Sequence, residues 1–566
     1  MKKSLIISEK PSVARDIAKV IMKGTSSSKD GYIEDAKHII TWAIGHLVTL
    51  YEPEDYDEKY KKWNMKDLPI APEKFLLKSA PKTKKQFQIV KKLMNSKEVG
   101  SIICATDSGR EGELIFRYIY QLANCKKPFK RLWISSMTEE AIKKGFEKLK
   151  DGAEYDNLYK SARCRSEADW LIGMNGTRAY SIKNNTIFSI GRVQTPTLAI
   201  IVNRDKQIKD FKPQDYWEVK SNYENFEGLW IDRKENSTKL ESEESAQIIA
   251  SKVKGTTGQV IDIKKEKKSQ GAPLLYDLTE LQRDGNKYFG YTAKETLDIA
   301  QSLYEKHKLI TYPRTDSRYL SKDMKDTVKS TLEKLKIDPY QQYISKIIDQ
   351  LKFTSRIIND KKITDHHACI PTPQTPKIQS LNIKEKNIYH LIVMRLIAVF
   401  FPNHQYETTT IFVESQGEAF VSKGKVVLDW GWKLIYVNDE KKEKDEEQQL
   451  PSINKGDPVL FRDTEVLKKQ IQPPKQYTES TLLSAMENAG KFVEDEELKE
   501  QLKDSGLGTP ATRAAIIERL IQVGYIQREK KALVPTSKGI AIINTVPKEL
   551  KSSELTGKWE KALNNI

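Results

Sequence analysis

Short apolar runs alternate with helical patterns along the first part of the chain. Residues 4–8 form one such run, and a helical pattern follows it from Val13 to Ile21. A second apolar run, residues 102–106, precedes Asp107 and another helical pattern. Strands that alternate with helices are typical of a parallel α/β sheet. We therefore predict an α/β domain over residues 1–155.

The pattern of the middle of the chain is different. Residues 213–272 and 386–474 contain short alternating segments, which predict a β-rich unit, whereas residues 273–385 between them follow a helical period. One helix of this region is predicted to begin at Thr292, because Glu295 three residues later completes a capping box. We expect a β-rich unit that is interrupted by a helical one.

Helical periodicity returns after residue 475. Thr509 followed by Pro510 predicts a helix start, with threonine as the N-cap and proline in the first turn. Two short apolar segments follow, as in a winged-helix module, although ordinary packing of a helix on a hairpin gives the same pattern. Residues 156–212 and 475–566 are assigned to one unit.

Composition restricts the classes of protein that fit. The 566 residues are 38% hydrophobic and 31% charged, which is typical of a globular protein of about three or four domains. The sequence has no apolar stretch long enough for a membrane span or a signal peptide, so we expect a cytoplasmic protein without membrane contact. Four scattered cysteines form no CxxC pair, which argues against a zinc ribbon.

The net charge of +17 indicates a polyanionic partner such as nucleic acid. A generally lysine-rich composition explains part of the same excess. Charge alone therefore leaves the partner open, because it says nothing about clustering.

Carboxylates follow two of the predicted strands. Glu9 lies where the first strand should end, and Asp107 lies at the end of a later one, with Glu111 shortly after it. Because the ends of parallel strands share one edge of a sheet, these side chains can converge. Carboxylate oxygens suit a magnesium ion, although strand-to-helix loops are often acidic simply because they are solvated.

Arginines lie near a second predicted helix start. Thr195-Pro196 can cap a helix, and the free amides of its first turn, together with Arg192, would bind an anion. Ordinary capping explains the Thr-Pro pair equally well. Upstream, arginines flank Asp169, where an arginine–aspartate pair would either direct a guanidinium toward a phosphate or form a structural salt bridge.

One tyrosine has a setting suited to covalent chemistry. Pro313 holds Tyr312 in extended geometry, and Arg314 can stabilise negative charge on a phosphoryl group. Tyrosine can act as a nucleophile. Since the chain has 24 tyrosines, this pattern nominates Tyr312 without establishing its role.

Taken together, these segments resemble the type IA DNA topoisomerases, most closely the bacterial topoisomerase III branch. The resemblance runs from residue 4 to about residue 560 and rests on ordered motifs: SEKPSVA at 8–14, GHL at 45–47, ATDSGREGE at 105–113, RSEADWLIGMNGTRA at 165–179, GRVQTPTL at 191–198, TYPRTDS at 311–317, DHHACIPT at 365–372 and GLGTPATR at 506–513.

The resemblance implies a fold and an activity. The fold would be multidomain α/β plus α and β, with an amino-terminal Toprim domain and a toroidal core of three further domains that contain winged-helix-like modules. The activity would be cleavage, passage and religation of single DNA strands through a 5′-phosphotyrosyl intermediate. ATP would not be needed, and the sequence indeed contains no GxxxxGK[ST] motif. Negatively supercoiled or catenated DNA with single-stranded regions would be the substrate of a monomer, with a helicase as a candidate partner.

The resemblance also implies roles for individual residues. Tyr312 matches the nucleophile, Arg314 the arginine beside the scissile phosphate, Glu9 the glutamate for proton transfer and metal contact, and Lys10 a lysine close to that phosphate. His366 matches the histidine of the helical gate domain, although His367 leaves the register open. The expected Mg²⁺ ligands are Glu9, Asp107 and Glu111. The expected DNA-binding residues are Trp63, Arg165, Asp169, Trp170, Arg178, Ser189, Gly191, Arg192, Val193, Gln194 and Arg513.

Two departures from the family pattern change these expectations. Many relatives carry Asp-x-Asp-x-Glu, but the middle position here is Gly109, which favours one magnesium ion rather than two. Relatives usually continue beyond Lys558-Trp559-Glu560 into a C-terminal DNA-binding tail. Two other functions remain compatible with parts of the sequence, namely a non-enzymatic DNA-binding protein and a Toprim nuclease or primase, which needs no tyrosine.

Overall fold

The amino-terminal part of the protein is built around a sheet of seven strands. The computed structural model describes residues 2–22, 24–363, 365–436, 450–492 and 506–566. The strands of this part are β1 (Lys3–Ser8), β2 (Ser27–Lys29), β3 (Tyr32–Glu34), β4 (His38–Trp42), β5 (Val48–Leu50), β6 (Leu77–Ser79), β7 (Val99–Ala105), β8 (Phe129–Arg131) and β9 (Lys150–Asp151). Their order in the sheet is β2-β3-β4-β1-β7-β8-β9, while β5 and β6 form a separate ribbon.

The predicted parallel sheet is confirmed at its centre and is antiparallel at its edges. Strand β1 pairs in parallel with β4 and β7, and β7 pairs in parallel with β8. The β2–β3, β3–β4 and β8–β9 pairs are antiparallel. The β2–β3 connection is a two-residue hairpin through Gly31, whose φ of +84° is readily adopted only by glycine.

Helices cover both faces of this sheet. They are α1 (Pro11–Ile21), α2 (Pro53–Tyr56), α3 (Lys84–Asn95), α4 (Arg110–Leu122) and α5 (Glu139–Glu147). Leu5 and Ile7 of β1 pack in one hydrophobic cluster with residues of α3 and α4, whereas Ile6 packs in another with residues of α1. Because helices cover both faces of the sheet, polar side chains that reach a ligand must come from the ends of its strands.

Two helices follow, α6 (Asp156–Asn184) and α7 (Gln194–Lys209). The prediction that Thr195-Pro196 caps α7 is wrong, because the helix begins one residue before Thr195. Thr195 instead accepts a hydrogen bond from the Gly191 amide at 3.1 Å with its side-chain oxygen. Pro196 is tolerated there because amides of the first turn have no partner within the helix.

The β-rich unit is a second sheet of seven strands. They are β10 (Asp215–Asn222), β11 (Glu227–Trp230), β12 (Thr257–Gln270), β13 (His404–Ser415), β14 (Glu418–Asp429), β15 (Pro458–Leu460) and β16 (Asp463–Gln470), in the order β15-β12-β13-β14-β11-β10-β16. All of its strand pairs are antiparallel. Helix α8 (Glu243–Val253) packs against it through β10 and β16.

A helical region interrupts this sheet in the sequence. Its helices are α9 (Leu278–Phe289), α10 (Ala293–Glu305), α11 (Met324–Lys334), α12 (Gln341–Ile344) and α13 (Ile383–Ala398). Thr292 caps α10 as predicted, accepting from the Glu295 amide at 3.0 Å. The prediction of β-rich structure from residue 386 is wrong, since residues 386–398 belong to α13. This helix is buried nearly all round, so no polar stripe marks its period.

The last part of the chain is again mostly helical. Its elements are α14 (Glu479–Glu487), α15 (Pro510–Gln522), β17 (Ile526–Glu529), β18 (Ala532–Pro535), α16 (Ser537–Thr545), α17 (Lys548–Lys551) and α18 (Glu554–Asn564). Thr509 is the N-cap of α15, and the antiparallel β17–β18 ribbon follows that helix, both as predicted. Leu198 of α7 shares a hydrophobic cluster with Leu520 and Leu533. No helix in the described ranges is long and apolar enough to cross a membrane.

One buried arginine fixes the end of β7. The Arg131 side chain is completely buried and ion-pairs with Glu113 at 3.0 Å. It also donates hydrogen bonds to the carbonyls of Thr106 at 2.8 Å and Asp107 at 2.6 Å. A charged side chain without access to water is stable only when it is fully paired. Arg131 therefore couples the packing of β8 to the position of Asp107.

We predict that Arg131→Met lowers the free energy of unfolding of the amino-terminal part by about 3–5 kcal/mol, because it leaves buried acceptors without a donor. Hydrogen exchange of residues 99–113 measures this effect. Arg163→Met is the matched control, since its partly exposed pair with Glu167 should contribute about 1 kcal/mol or less. Equal protection of residues 99–113 in the two variants would contradict the role of Arg131.

Candidate active site and nucleic-acid groove

Two carboxylates meet at the edge of the first sheet as the strand pattern predicted. Glu9 directly follows β1, and Asp107 lies two residues beyond β7, whose Ala105 is paired with Ser8. The Asp107 amide donates a hydrogen bond to Glu9 Oε2 at 3.3 Å. Gly112 lets α4 begin close to this loop, because a Cβ there would lie 2.1 Å from the Asp107 carbonyl oxygen.

Lys10 lies at the centre of this site and joins it to the helical region. Its Nζ is 3.3 Å from Glu9 Oε1 and 3.0 Å from Asp107 Oδ2. The same ammonium donates a hydrogen bond to the Tyr312 hydroxyl oxygen at 2.7 Å. Tyr312 is thus held against two strand ends that lie about 200 to 300 residues earlier in the chain. A positive charge at this distance stabilises the phenolate form of a tyrosine.

Burial and neighbouring charges together shift the pKa values of the two carboxyl groups in opposite directions. Burial raises the pKa of Glu9, and the charge of Asp107 raises it further. Burial also acts to raise the pKa of Asp107, but His366 and Lys10 outweigh it and hold that pKa well below its usual range. Glu9 is therefore the group suited to carrying a proton, whereas Asp107 stays charged.

The Lys10 ammonium and the Tyr312 phenol respond to the same neighbouring charges. Burial acts to lower the pKa of Lys10, but Asp107, Glu9 and Tyr312 raise it, so that Lys10 remains an ammonium. Burial raises the pKa of Tyr312, and the charge of Lys10 opposes part of this increase. Lys10 is thus the main group that favours ionisation of the buried phenol.

His366 completes the contacts of Tyr312. Its ring centroid is 4.5 Å from that of Tyr312, and its Nε2 is 3.4 Å from Asp107 Oδ2. His367 is buried, with its Nδ1 2.8 Å from the Ala368 carbonyl oxygen, and it does not share these contacts. Arg314 is exposed, and its charge helps to lower the pKa of Tyr312.

Glu111 is not brought together with Glu9 and Asp107. Its Oε1 lies 2.5 Å from His46 Nε2, and its side chain is 67% exposed. This contact lowers the pKa of Glu111. Within the described ranges, no three histidine, cysteine, aspartate or glutamate side chains are arranged as ligands around one point. The predicted set of three carboxylates is therefore not preassembled.

A cluster of three arginines lies beside this site, and one glutamate contacts all of them. Glu560 of α18 is buried and contacts Arg165 at 3.2 Å, Arg110 at 3.4 Å and Arg192 at 3.5 Å. Arg192 also ion-pairs with Asp169 at 2.9 Å, so the arginine that forms this salt bridge precedes α7 and is not one of the arginines that flank Asp169 in α6. We call Arg110, Arg165 and Arg192 the arginine cluster.

Two of the predicted DNA-binding side chains are not available to a ligand. Trp170 is buried, and its indole NH donates to the Tyr51 carbonyl, which corrects the prediction that it stacks on bases. Arg178 is also buried and donates to the Tyr60 carbonyl at 2.8 Å. Arg178 lies 5.5 Å from the ring of Trp63, which is 42% exposed. Trp63 remains an accessible aromatic surface.

The remaining predicted residues lie around the start of α7 or beside the arginine cluster. Arg513 is buried, donates to Thr279 and lines a cavity together with Arg110 and Glu560. The backbone around α7 is fixed by local contacts: the Tyr525 hydroxyl with Ser189, Thr195 with Gly191, Gln194 with the Ser189 carbonyl, and Val193 with the surrounding hydrophobic cluster.

Sequence reasoning missed the partners that charges acquire over long distances. His46 and Glu560 lie in segments that the sequence had singled out, but neither was given a role. Arg131 carried no signal in the sequence at all. Their partners are up to 450 residues away in the chain, so no local spacing reveals them.

In all of the comparisons with known proteins, this chain is similar to DNA topoisomerases. A family described as the Toprim domain matches residues 4–137, and one described as DNA topoisomerase matches residues 153–566. DNA topoisomerase 3 of Bacillus licheniformis and that of Bacillus subtilis are each 45% identical over 100% of this chain and 78% of their own length. The solved full-length topoisomerase I of Thermotoga maritima, at 21% identity, covers 99% of this chain and 86% of its own with a TM-score of 0.70, which supports the fold.

We predict that Glu560→Gln tightens binding of a single-stranded oligonucleotide about fivefold. We expect the Glu560 carboxylate to compete with phosphates for the arginine cluster, and a fivefold change in affinity corresponds to roughly 1 kcal/mol. Fluorescence anisotropy at fixed salt measures the affinity. Glu549→Gln removes the same charge from the exposed side of the neighbouring α17 and is the control. Equal affinities of the two folded variants would show that Glu560 does not compete with phosphate.

Proposed function

Since this chain belongs to the type IA DNA topoisomerases, on their topoisomerase III branch, we propose that Tyr312 is the nucleophile that cuts the DNA strand. The enzyme cleaves one strand, passes DNA through the break and rejoins it without ATP. The observation that carries the assignment is the contact between the Tyr312 hydroxyl and the Lys10 ammonium at 2.7 Å. It supplies the positive charge that a buried phenol needs in order to attack.

The proposed step is a transesterification in which bonds and protons balance. The Tyr312 hydroxyl releases its proton to solvent as its oxygen attacks the phosphorus, and Lys10 stabilises the negative charge on that oxygen. The bond between phosphorus and the 3′-oxygen breaks, and Glu9, whose pKa is raised by burial and Asp107, donates a proton to the 3′-oxygen. Religation reverses both transfers. Arg314 and His366 stand beside Tyr312 and are proposed to hold the phosphate.

The chain contains a Toprim domain, and we propose that Glu9 and Asp107 hold one magnesium ion in it. The residues present fit a hard cation, because two carboxylates already converge on one ammonium, that of Lys10. Glu111 would join them after leaving His46. When bound, the ion would neutralise charge on the phosphate. Gly109 offers no ligand, which supports one ion over two.

We propose that Arg110 and Arg165, the two more exposed members of the arginine cluster, bind the single strand together with Trp63, while the buried Arg192 holds the cluster together. Guanidiniums contact phosphates, while an exposed aromatic ring can stack on a base. Arg178 packs against the ring of Trp63 and is proposed to position that ring rather than to contact DNA. Arg513 lines the cavity beside the arginine cluster. Negatively supercoiled and catenated DNA, which expose single strands, are the proposed substrates.

The proposed division of labour follows four units. Residues 1–155 carry the carboxylates, and residues 156–212 together with 475–566 form the single-strand groove. Residues 213–272 together with a β-rich segment from 404 to 474 form the hinge. Residues 273–403 carry Tyr312. The shared hydrophobic cluster of α9, α10 and α13 supports moving the upper boundary of the last unit. A monomer that works on DNA in the cytoplasm, with a helicase supplying single strands, fits this activity.

We predict that Tyr312→Phe abolishes the covalent adduct with a single-stranded oligonucleotide and slows plasmid relaxation by more than about 10³-fold, because the attacking oxygen is gone. Denaturing gels detect the adduct. Tyr304→Phe is the matched control, since the Tyr304 ring lies 5.4 Å from that of Tyr312, whereas the hydroxyl to which Lys10 donates is that of Tyr312. Relaxation by Tyr312→Phe, or loss of the adduct in Tyr304→Phe alone, would overturn the assignment and favour a nuclease or a binding protein.

We predict that Asp107→Ala retains binding of single-stranded DNA but loses strand rejoining, so that cleaved product accumulates. Asp107 is the carboxylate that remains charged and contacts both Lys10 and His366. Titration with magnesium, followed by relaxation and rejoining assays, measures the loss. Asp30→Ala, which removes an exposed carboxylate of the same domain, is the control. Relaxation by Asp107→Ala over the same magnesium range as the unmodified protein would refute its role.

A further inference from the structure

Gly109 leaves a space in the carboxylate loop, and a side chain from another part of the protein fills it. A Cβ built on Gly109 would lie 2.4 Å from Asp365 Oδ1 and 2.5 Å from Oδ2. The backbone of Gly109 is extended, with φ of −158°, which any residue adopts. A side chain at position 109 would therefore require the Asp365 carboxylate to move, whereas the backbone would allow it.

The segment that carries Asp365 is held firmly against the site. The next residue, His366, contacts both Asp107 and Tyr312. The His366 carbonyl accepts a hydrogen bond from the Thr315 hydroxyl at 2.9 Å. The position of Asp365 is thus tied to the same short segment that carries the proposed nucleophile.

We propose that Asp365 supplies the carboxylate that Gly109 cannot, so that the divalent-cation site of Glu9 and Asp107 is complete only when the helical region is closed onto the first sheet. This inference rests on the proposed function, because it assumes a cation at Glu9 and Asp107. Hard cations prefer several carboxylate oxygens, and glycine has no side chain to offer.

Local charge supports this arrangement. The Asp365 carboxylate lies beside the loop that carries Asp107, and the Lys10 ammonium is the nearby positive charge. No three acidic or histidine side chains of the described residues already surround one point. A bound cation would therefore draw the Asp365 carboxyl toward Asp107, which a rotation of its side chain allows.

The arrangement couples metal binding to opening of the gate. Movement of the helical region away from the first sheet would withdraw Asp365 together with Tyr312. By linkage, a cation that binds the closed form more tightly must also favour that form. In an enzyme with an aspartate at position 109, all of the acidic ligands would lie in one domain, and this coupling would be weaker.

The test is binding of Mn²⁺ to the full chain, measured by the loss of its free paramagnetic resonance signal, so that activity is not the readout. Asp365→Asn keeps the shape of the side chain and should weaken binding about tenfold or more. Gly109→Asp alone should crowd Asp365. The exchange variant Gly109→Asp with Asp365→Gly should bind Mn²⁺ nearly as tightly as the unmodified protein.

Two controls separate the possible failures. Asp349→Asn removes an exposed carboxylate of the same helical region and should leave binding unchanged. Asp107→Ala tests the metal assignment itself, and unchanged Mn²⁺ binding in that variant would overturn the proposed metal site. If Asp107→Ala weakens binding while Asp365→Asn behaves like Asp349→Asn, the metal site stands and the role of Asp365 is wrong. Failure of the exchange variant to recover binding, with its fold intact by circular dichroism, would also contradict that role.

Discussion

The arrangement depends on one partly buried ammonium, that of Lys10, held between two carboxylates at the ends of parallel strands. Burying a lysine is unfavourable unless opposite charges are close, and Glu9 and Asp107 meet this requirement at 3.3 and 3.0 Å. Because the carboxylates keep Lys10 charged, the ammonium can hold the hydroxyl of Tyr312 across the boundary between the first sheet and the helical region. The fold places the two strand ends, the carboxylates at these ends hold the Lys10 ammonium, and that ammonium positions Tyr312.

The arginine cluster is the second charged feature, and here positive side chains surround a negative one. Three guanidiniums of the arginine cluster surround the Glu560 carboxylate, so the groove is partly neutralised in the absence of a ligand. Phosphates of a bound strand would take over these contacts. At both places charged groups lie against opposite charges, and in the proposed function a bound strand would exchange one set of partners for another. Such an exchange costs less than exposing unpaired charges in a partly buried groove.

The sequence predicted the features that depend on local pattern and on parallel-sheet geometry. Glu9 and Asp107 were placed together because strand ends of a parallel sheet share an edge, and the caps at Thr292 and Thr509 follow from nearby residues alone. Residues 386–398 were misread because α13 is apolar on nearly every side. The start of α7 was placed too late because Thr-Pro is equally compatible with the first turn and with the cap.

Contacts between distant segments could not be predicted in this way. The position of Glu111 on His46, the burial of Trp170 and the contacts of Glu560 depend on how separate units pack. The same holds for Asp365, whose carboxylate fills the space above Gly109. From the sequence, Gly109 is a missing ligand, whereas the packing supplies a carboxylate at that place from a segment more than 200 residues later.

The most direct test of the central claim is to map the covalent adduct by mass spectrometry. The protein would be trapped on a single-stranded oligonucleotide and digested with trypsin, which cuts after Lys308 and Arg314. We expect nucleotides to be attached through a 5′-phosphate to the peptide of residues 309–314, which contains Tyr312. Attachment to a peptide that contains another tyrosine, or through a 3′-phosphate, would contradict it.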